Sequence, residues 1–207
     1  MRPLPRLHAV TDAAVLAAGD FGVRAAAIAA AGPAVALHAR DRSAGGAELT
    51  RAVERLLALA RPPEAAVFVN GRPDIAAAVQ AHGVQLGSDD LSPGDARRVF
   101  RSGWIGRSVH QVEEATRAVA DGADFLLVGN IYETASHRDR PPAGVALVRA
   151  AAALGRPVIA IGGIDAARAR EVRDAGAYGI AAISALWRAA DPAAAALALL
   201  APWTEAT

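Results

Sequence analysis

Two short segments place glycine or serine after apolar residues in a way that could bind a phosphate group. Gly162 and Gly163 follow one apolar run, and Ile183 and Ser184 end the next. Glycine lets backbone amides approach an anion closely, and amides at a helix N-terminus favour negative charge. We therefore predict phosphate binding by Gly162, Gly163, Ile183 and Ser184. The alternative is that the glycines only form a tight turn before Asp165.

A polar segment between residues 129 and 144 contains hydroxyl, imidazole and guanidinium groups. Long loops in compact domains are usually functional or mobile. We predict that Thr134, Ser136 and His137 contact a phosphorylated substrate. The alternative is a solvated surface loop.

The five histidines are candidates for proton transfer, because imidazole titrates near neutral pH. We predict that His38, near the end of an apolar run, points toward the rim of an active site. His110 also follows an apolar run, where capping the next helix is its alternative role. We expect His8 to pack inside the fold and His82 to be structural. No pair of histidines has the i, i+4 spacing of a helical metal site.

Two missing residue types exclude several mechanisms. The 207 residues contain no cysteine, and all 22 basic residues are arginine. Schiff-base catalysis needs a lysine amine, whereas thiolate catalysis, disulfides and iron–sulfur clusters need cysteine. Ser108 and Ser184 lack the glycine signature of a serine hydrolase. The neighbouring carboxylates of Asp89 and Asp90 could hold Mg²⁺.

The composition indicates a folded protein and gives no sign of a nucleic-acid or membrane partner. Hydrophobic residues make up 53% of the chain, charged residues 21%, and the formal net charge is +1. This balance is typical of globular proteins and leaves no basic footprint for nucleic acid. No apolar run has the roughly 20 residues of a membrane-spanning helix. The N-terminus also lacks a signal-peptide core, so we expect a cytoplasmic protein.

Eight short apolar runs alternate with alanine-rich helical patterns along the chain. Continuous apolar runs are typical of parallel strands that are buried on both faces. Eight such units predict a single-domain (β/α)8 TIM barrel over residues 1–207, with a doubly wound sheet as the alternative. The predicted strands cover residues 7–10, 34–39, 66–69, 84–86, 104–108, 125–128, 158–161 and 179–183.

Polar residues follow nearly every predicted strand. Chemistry in TIM barrels takes place at the carboxyl ends of the strands, although turns and helix caps also need polar residues. We predict that Arg40, Arg42, Asn70 and Ser108 bind substrate at this rim.

Five segments, in this order, resemble the thiamine phosphate synthase superfamily: residues 7–12, 70–72, 106–110, 129–134 and 160–164. The resemblance covers nearly the whole chain and implies a TIM barrel that binds a small phosphorylated thiazole. The superfamily has two main branches. Thiamine phosphate synthase joins a thiazole phosphate to a pyrimidine pyrophosphate with Mg²⁺, and thiazole tautomerase (TenI-like) aromatises a thiazole phosphate carboxylate.

Departures from the synthase pattern favour the tautomerase branch. Synthases typically carry Gln, Arg and Lys at the end of strand two, Asn-Asp after strand three and lysine in the strand-six loop. This chain has His38, Arg40 and Arg42 at the first place, Asn70–Gly71 at the second and His137 at the third. Of the metal-site residues only Asp90 is kept, so the resemblance implies Mg²⁺ only for a synthase and otherwise no cofactor. The His-x-Arg-x-Arg run at 38–42 is similar to tautomerases. The resemblance therefore implies an isomerase.

One further departure concerns the group that moves the proton. The tautomerase branch usually has a histidine at the position of Asn130, and an amide can only donate and accept hydrogen bonds. We therefore take His38, His110 and Asn130 as the candidate catalytic residues, with His38 as the first substitute.

Three functions follow from these observations. The leading hypothesis is a thiazole tautomerase, and the second is a thiamine phosphate synthase. The third is a non-catalytic protein that binds thiazole phosphate and is functionally linked to a partner such as thiazole synthase. The apolar stretch at residues 193–201 indicates either a homodimer or packing within the core.

Overall fold

Eight parallel strands form a closed barrel in which every strand pairs with its neighbours in sequence. The computed structural model describes residues 2–60, 64–134 and 141–204. The first strand closes the barrel by pairing with the last, with Ala9 opposite Ala182. The predicted (β/α)8 barrel is confirmed. The strands are β1 Leu7–Val10, β2 Val35–Ala39, β3 Ala66–Asn70, β4 Gly83–Leu86, β5 Trp104–Val109, β6 Phe125–Val128, β7 Val158–Ile161 and β8 Gly179–Ala182.

Helices alternate with the strands as predicted. Two separate helices, rather than one, lie between β1 and β2 and again after β8. Asp12 caps the first helix by accepting a hydrogen bond from the amide of Val15 at 2.8 Å, and Ala18 then leaves the helical conformation. Near the C-terminus Asp191 accepts from the amide of Ala194, which starts a new helix. The helices are α1 Ala13–Ala17, α2 Phe21–Ala29, α3 Gly46–Leu59, α4 Pro73–Ala78, α5 Pro93–Val99, α6 Val112–Ala120, α7 Gly144–Ala152, α8 Ala166–Asp174, α9 Ser184–Trp187 and α10 Pro192–Thr204.

Alternate residues of each strand face either the barrel interior or the surrounding helices. On β3, Phe68 belongs to the interior cluster, whereas Val67 and Val69 belong to the larger core beneath the helices. Strand residues on both faces are therefore apolar, which explains the continuous hydrophobic runs in the sequence.

Glycine on two strands makes room for the aromatic rings inside the barrel. A Cβ atom on Gly83 would lie 2.2 Å from the ring of Phe68, and one on Gly106 would lie 2.1 Å from the ring of Phe125. Neither distance is compatible with a side chain at these positions. The two phenylalanine rings thus fill space that β4 and β5 leave open.

Two histidines complete this interior. Nδ1 of His8 lies 2.8 Å from Nε2 of His38, and both side chains are fully buried. The ring centroids of Phe68 and Phe125 lie 5.4 and 5.5 Å from that of His8. The expectation that His8 packs inside is confirmed. The expectation that His38 lies at the rim needs correction, because its ring is fully buried on the inward face of β2, beneath the mouth, where Nδ1 lies 3.0 Å from Oδ1 of Asn70.

The apolar C-terminal helix packs against its own chain. Helix α10 contacts α2 and α8, burying Ala196, Leu199 and Leu200, while Leu197 is exposed. Core packing therefore accounts for much of the apolar character of this stretch. Within the described ranges, no helix is both long enough and apolar enough to span a membrane.

We predict that the buried histidine pair makes the protein sensitive to mild acid. Burial lowers the pKa of His38 to about 4, and burial followed by the neighbouring His38 lowers the pKa of His8 well below its ordinary value. A histidine in the unfolded chain has a pKa of about 6.5. Between this pH and the lower pKa of the folded state, the unfolded chain binds protons that the folded chain does not. The contribution of the neutral histidine pair to the free energy of unfolding is therefore fully present above about pH 6.5, and it is lost as the pH falls toward 4.

The expected loss from His38 alone is roughly 3 kcal/mol over this range, measured as the free energy of unfolding in urea at a series of pH values. The variant His38→Gln removes one titrating ring and should flatten the acid limb of the curve. Parallel curves for the parent and the variant would contradict the prediction.

Candidate active site at the carboxyl ends of the strands

The ends of β1 and β2 are joined by one buried hydroxyl group. Oγ1 of Thr11 donates to the carbonyl of His38 at 2.9 Å and accepts from the amide of Arg40 at 2.9 Å. Arg40 is half-buried at the mouth of the barrel, and Arg42 is exposed beyond it. Burial, followed by the charge of Arg42, lowers the pKa of Arg40. Two cations therefore extend from the end of β2, as the sequence predicted.

The ends of β3 and β4 bring a carboxylate next to a glycine. The amide of Gly87 donates to Oδ2 of Asp90 at 2.6 Å. Gly71 has a φ of +72°, and a Cβ atom there would lie 3.1 Å from Oδ1 of Asp90. An aspartate at position 71 would be strained and would crowd this carboxylate. Glycine at position 71 therefore keeps a side chain away from both carboxylate oxygens of Asp90.

Arg107 is a supporting residue that the sequence did not single out. Its guanidinium donates to the carbonyl of Leu91 at 2.9 Å and to that of Ser88 at 3.0 Å. It thereby holds both sides of the loop that carries Asp90. The available signal was a lone arginine among the otherwise small and apolar residues of β5.

Two predicted residues at the end of β5 connect neighbouring strands. Oγ of Ser108 accepts a hydrogen bond from Nε2 of Gln85 at 3.0 Å, and Oε1 of Gln85 is buried without a hydrogen-bond partner among the described residues. The ring of His110 donates through Nδ1 to the carbonyl of Gly129, and its amide donates to Glu114. His110 thus links the ends of β5 and β6.

The loop after β6 lies directly against the loop after β7. The amides of Ile131 and Tyr132 donate to the carbonyls of Ile161 and Gly162, each at 3.0 Å. Asn130, at the start of this loop, is buried. Thr134 is half-buried, whereas Ser136 and His137 lie outside the described residues.

The side chain of Tyr132 anchors the same loop on α8. Its hydroxyl donates to Glu171 at 2.6 Å, and the guanidinium of Arg168 lies 4.7 Å from its ring centroid. Burial, followed by the hydrogen bond to Glu171, raises the pKa of Tyr132 to about 12. Arg168 also donates to the carbonyl of Gly163 at 2.7 Å. These contacts fix the β7 loop from both sides.

The close approach of the β6 loop explains why the two residues predicted to bind phosphate, Gly162 and Gly163, are glycines. Gly162 and Gly163 have φ values of +106° and +64°. A Cβ atom on Gly162 would lie 2.7 Å from Cβ of Asn130, and one on Gly163 would lie 2.5 Å from the carbonyl oxygen of Glu133. The tight-turn alternative therefore accounts for the glycines without an anion.

Among the described residues, the barrel brings the predicted site residues to one end, with His38 buried beneath Asn70. Strand β7 pairs with β8 so that Ile161 lies opposite Ala181, which places the Gly162–Gly163 turn beside the start of α9. The described residues contain no group of three or more histidines and carboxylates that could hold a metal ion. The residues at the mouth are Arg40, Arg42, Asn70, Asp90, Ser108, His110, Asn130, Thr134, Gly162, Gly163, Ile183 and Ser184.

Comparisons with known proteins agree on one family. Residues 7–186 match the family described as thiamine monophosphate synthase. A thiamine-phosphate synthase of Thermus thermophilus is 49% identical over 70% of this chain and 71% of its own. One from Salinispora tropica is 42% identical over 97% of this chain and 98% of its own. The solved thiamine phosphate pyrophosphorylase of Pyrococcus furiosus has a TM-score of 0.82 at 34% identity, covering 97% of this chain and 96% of that one.

These relatives overturn the leading sequence hypothesis. They are named as synthases, which are transferases, whereas the sequence analysis favoured a TenI-like tautomerase, an isomerase. That expectation is wrong, and the superfamily assignment on which it was based is confirmed. This chain belongs to the thiamine monophosphate synthase family.

Proposed function

We propose that this protein is a thiamine phosphate synthase, which joins a thiazole phosphate to a pyrimidine pyrophosphate and releases pyrophosphate. The observation that carries the proposal is the shared name of relatives that are 39–49% identical over most of the chain. The mouth of the barrel supports it, because it combines a carboxylate with two arginines. This combination suits a metal-bound pyrophosphate.

The residues around Asp90 fit a magnesium ion. Oδ2 of Asp90 accepts from the amide of Gly87, and position 71 has no side chain to crowd the carboxylate, since a Cβ atom there would lie 3.1 Å from Oδ1 and 3.2 Å from Oδ2. Mg²⁺ is usually held by only one or two carboxylates together with substrate phosphates. Asp90 alone is therefore a sufficient protein ligand. The ion, when bound, would neutralise charge that develops on the departing pyrophosphate.

The two arginines after β2 would bind the pyrophosphate itself. The synthase pattern has arginine and lysine at these positions, and Arg40 and Arg42 keep both positive charges. Guanidinium groups can also bind phosphate oxygens in a bidentate manner, which lysine cannot. Burial of Arg40 strengthens its interaction with an anion, because less water screens the charge.

The joining reaction does not require a basic side chain. The thiazole nitrogen attacks with a lone pair and carries no proton, and the carbon–oxygen bond to pyrophosphate breaks with its electron pair. The protein must therefore orient two substrates and stabilise negative charge. Asn130 in place of a histidine and the burial of His38 are compatible with this chemistry. We further propose that Ser108 and Thr134 contact the substrates at the rim.

The phosphate of the thiazole substrate would bind at the turn after β7 and the start of α9. Gly162 and Gly163 form a half-buried turn with positive φ values, and Ser184 is solvent-exposed at the start of the neighbouring α9. Amides of Gly162, Gly163, Ile183 and Ser184 are the proposed donors. This arrangement separates the two phosphorylated substrates across the mouth, because β2 and β7 lie on different sides of the barrel.

The first test is direct turnover. Purified protein mixed with thiazole phosphate, pyrimidine pyrophosphate and Mg²⁺ should form thiamine phosphate, measured by chromatography. Asp90→Asn keeps the shape of the side chain but removes its charge, so it should lower kcat/KM at least about 100-fold. Asp174→Asn, an equal change at an exposed residue at the end of α8, should leave turnover unchanged. Thiazole phosphate binding without any turnover would support the non-catalytic alternative instead.

The second test concerns the thiazole phosphate. Ser184→Glu places a negative charge beside the proposed phosphate position and should raise the KM for thiazole phosphate by about tenfold or more. Ser184→Gln has nearly the same size without the charge and should change this KM much less. The KM for the pyrimidine substrate is the internal reference, because the proposed pyrophosphate site lies across the mouth. Equal effects of Glu and Gln would place the phosphate elsewhere.

A further inference from the structure

A continuous row of polar groups passes through the interior of the barrel and ends at its mouth. The carbonyl of Pro5 lies 3.0 Å from Nε2 of His8, and Nδ1 of His8 lies 2.8 Å from Nε2 of His38. Nδ1 of His38 in turn lies 3.0 Å from the side-chain amide of Asn70. We call these four groups the buried polar row. It starts before β1 and ends at the last residue of β3.

The fixed end of the row determines where its protons are. A carbonyl oxygen can only accept, so Nε2 of His8 must carry a proton and donate it to Pro5. In a neutral ring the other nitrogen then accepts, so His38 must donate through its own Nε2. Nδ1 of a neutral His38 is consequently an acceptor.

The amide of Asn70 must therefore meet His38 with a donor. The structure places Oδ1 of Asn70 at 3.0 Å from Nδ1 of His38, which would bring two acceptors together if both rings are neutral. Rotation of the amide by half a turn puts Nδ2 at nearly the same position, because the two terminal atoms are similar in size. In that orientation every contact in the row joins one donor to one acceptor.

A charged ring is the only other way to satisfy the contacts. It would require an imidazolium ion among Phe68 and Phe125, fully enclosed by the barrel. Neither histidine forms an ion pair with a carboxylate in the part of the chain that the structure describes. A buried charge without a partner is strongly unfavourable. Consistent with this, burial lowers the pKa of both rings.

We propose that His8 and His38 are positioning residues that fix the side chain of Asn70 with Nδ2 toward His38 and Oδ1 toward the mouth of the barrel. Asn70 is half-buried there, directly before Gly71 and the carboxylate of Asp90. The row thus presents one oriented acceptor to a hydrogen-bond donor of the bound substrate. The use of that acceptor in turnover rests on the proposed synthase function, whereas the proton arrangement does not.

The proton arrangement can be measured without any substrate. Long-range ¹H–¹⁵N correlation spectra of the full chain with ¹⁵N-labelled histidine distinguish the two neutral tautomers and the cation. At neutral pH we expect two neutral rings protonated at Nε2 only, assigned by their loss in His8→Phe and His38→Gln. A proton on Nδ1 of either ring, in a tautomer or a cation, would overturn the proposal.

A matched pair of substitutions tests the role of the amide. Asn70→Asp removes the donor while keeping the shape, so His38 should gain a proton on Nδ1, seen as a change in its ¹⁵N spectrum. If Oδ1 already faced His38, this variant would leave the tautomer unchanged and the proposal would fail. Asn130→Asp makes the same change at the other asparagine of the chain, which is buried, and should not alter either ring.

Kinetics separate positioning from a purely structural role. His8→Phe fills the same space between Phe68 and Phe125 but removes the acceptor that fixes His38. We expect its kcat for thiamine phosphate formation to fall by about tenfold, with the KM for thiazole phosphate unchanged. Unchanged kcat in this variant would show that turnover does not use the orientation of Asn70. Should the parent form no thiamine phosphate, the proposed synthase function fails, while the spectra still decide the proton arrangement.

Discussion

The narrow interior of an eight-stranded barrel must be filled by the side chains of its own strands, and the rest of this structure depends on how that space is filled. Two phenylalanine rings occupy it only because Gly83 and Gly106 lack side chains. His8 and His38 lie against these rings within the interior cluster, and their polar atoms need partners away from water. Their hydrogen bonds connect the N-terminal end of the barrel to the mouth. Packing of the core and orientation of a residue at the site are thus linked.

Close contact between two loops determines the structure on the other side of the mouth. The β6 loop lies against the β7 loop through backbone hydrogen bonds, and glycine at positions 162 and 163 is what permits the contact. A glycine pair that resembles a phosphate-binding motif therefore has two physical explanations that do not exclude each other. For that reason, a substitution at Ser184 tests phosphate binding more cleanly than one at Gly163, which would also disturb the β6 loop.

Hydrophobic periodicity was sufficient to predict the barrel, because parallel strands covered on both faces give continuous apolar runs. It was not sufficient to predict the direction of a single side chain. A strand that is apolar on both faces carries no alternation, so the sequence could not show that His38 faces inward with Ala36. Polar residues at strand ends, such as Asn70 and Ser108, were placed correctly since the end of a strand is easier to recognise than its register. A lone arginine on β5 is a local signal, but the support that Arg107 gives to the Asp90 loop depends on tertiary contacts that this signal does not reveal.

The incorrect expectation of a tautomerase, rather than a synthase, has a chemical explanation. Most departures from the synthase pattern keep the charge at the site. Arg42 carries the positive charge that lysine carries in the synthase pattern, and Asp90 keeps one carboxylate although Gly71 lacks the other. Magnesium bound to pyrophosphate obtains most of its ligands from the substrate and from water, so one protein carboxylate is enough. The residue that proton transfer would need is missing at Asn130, whereas the joining reaction needs only orientation and charge. The charges and potential metal ligands at the mouth of the barrel therefore suit the synthase reaction better than the tautomerase reaction.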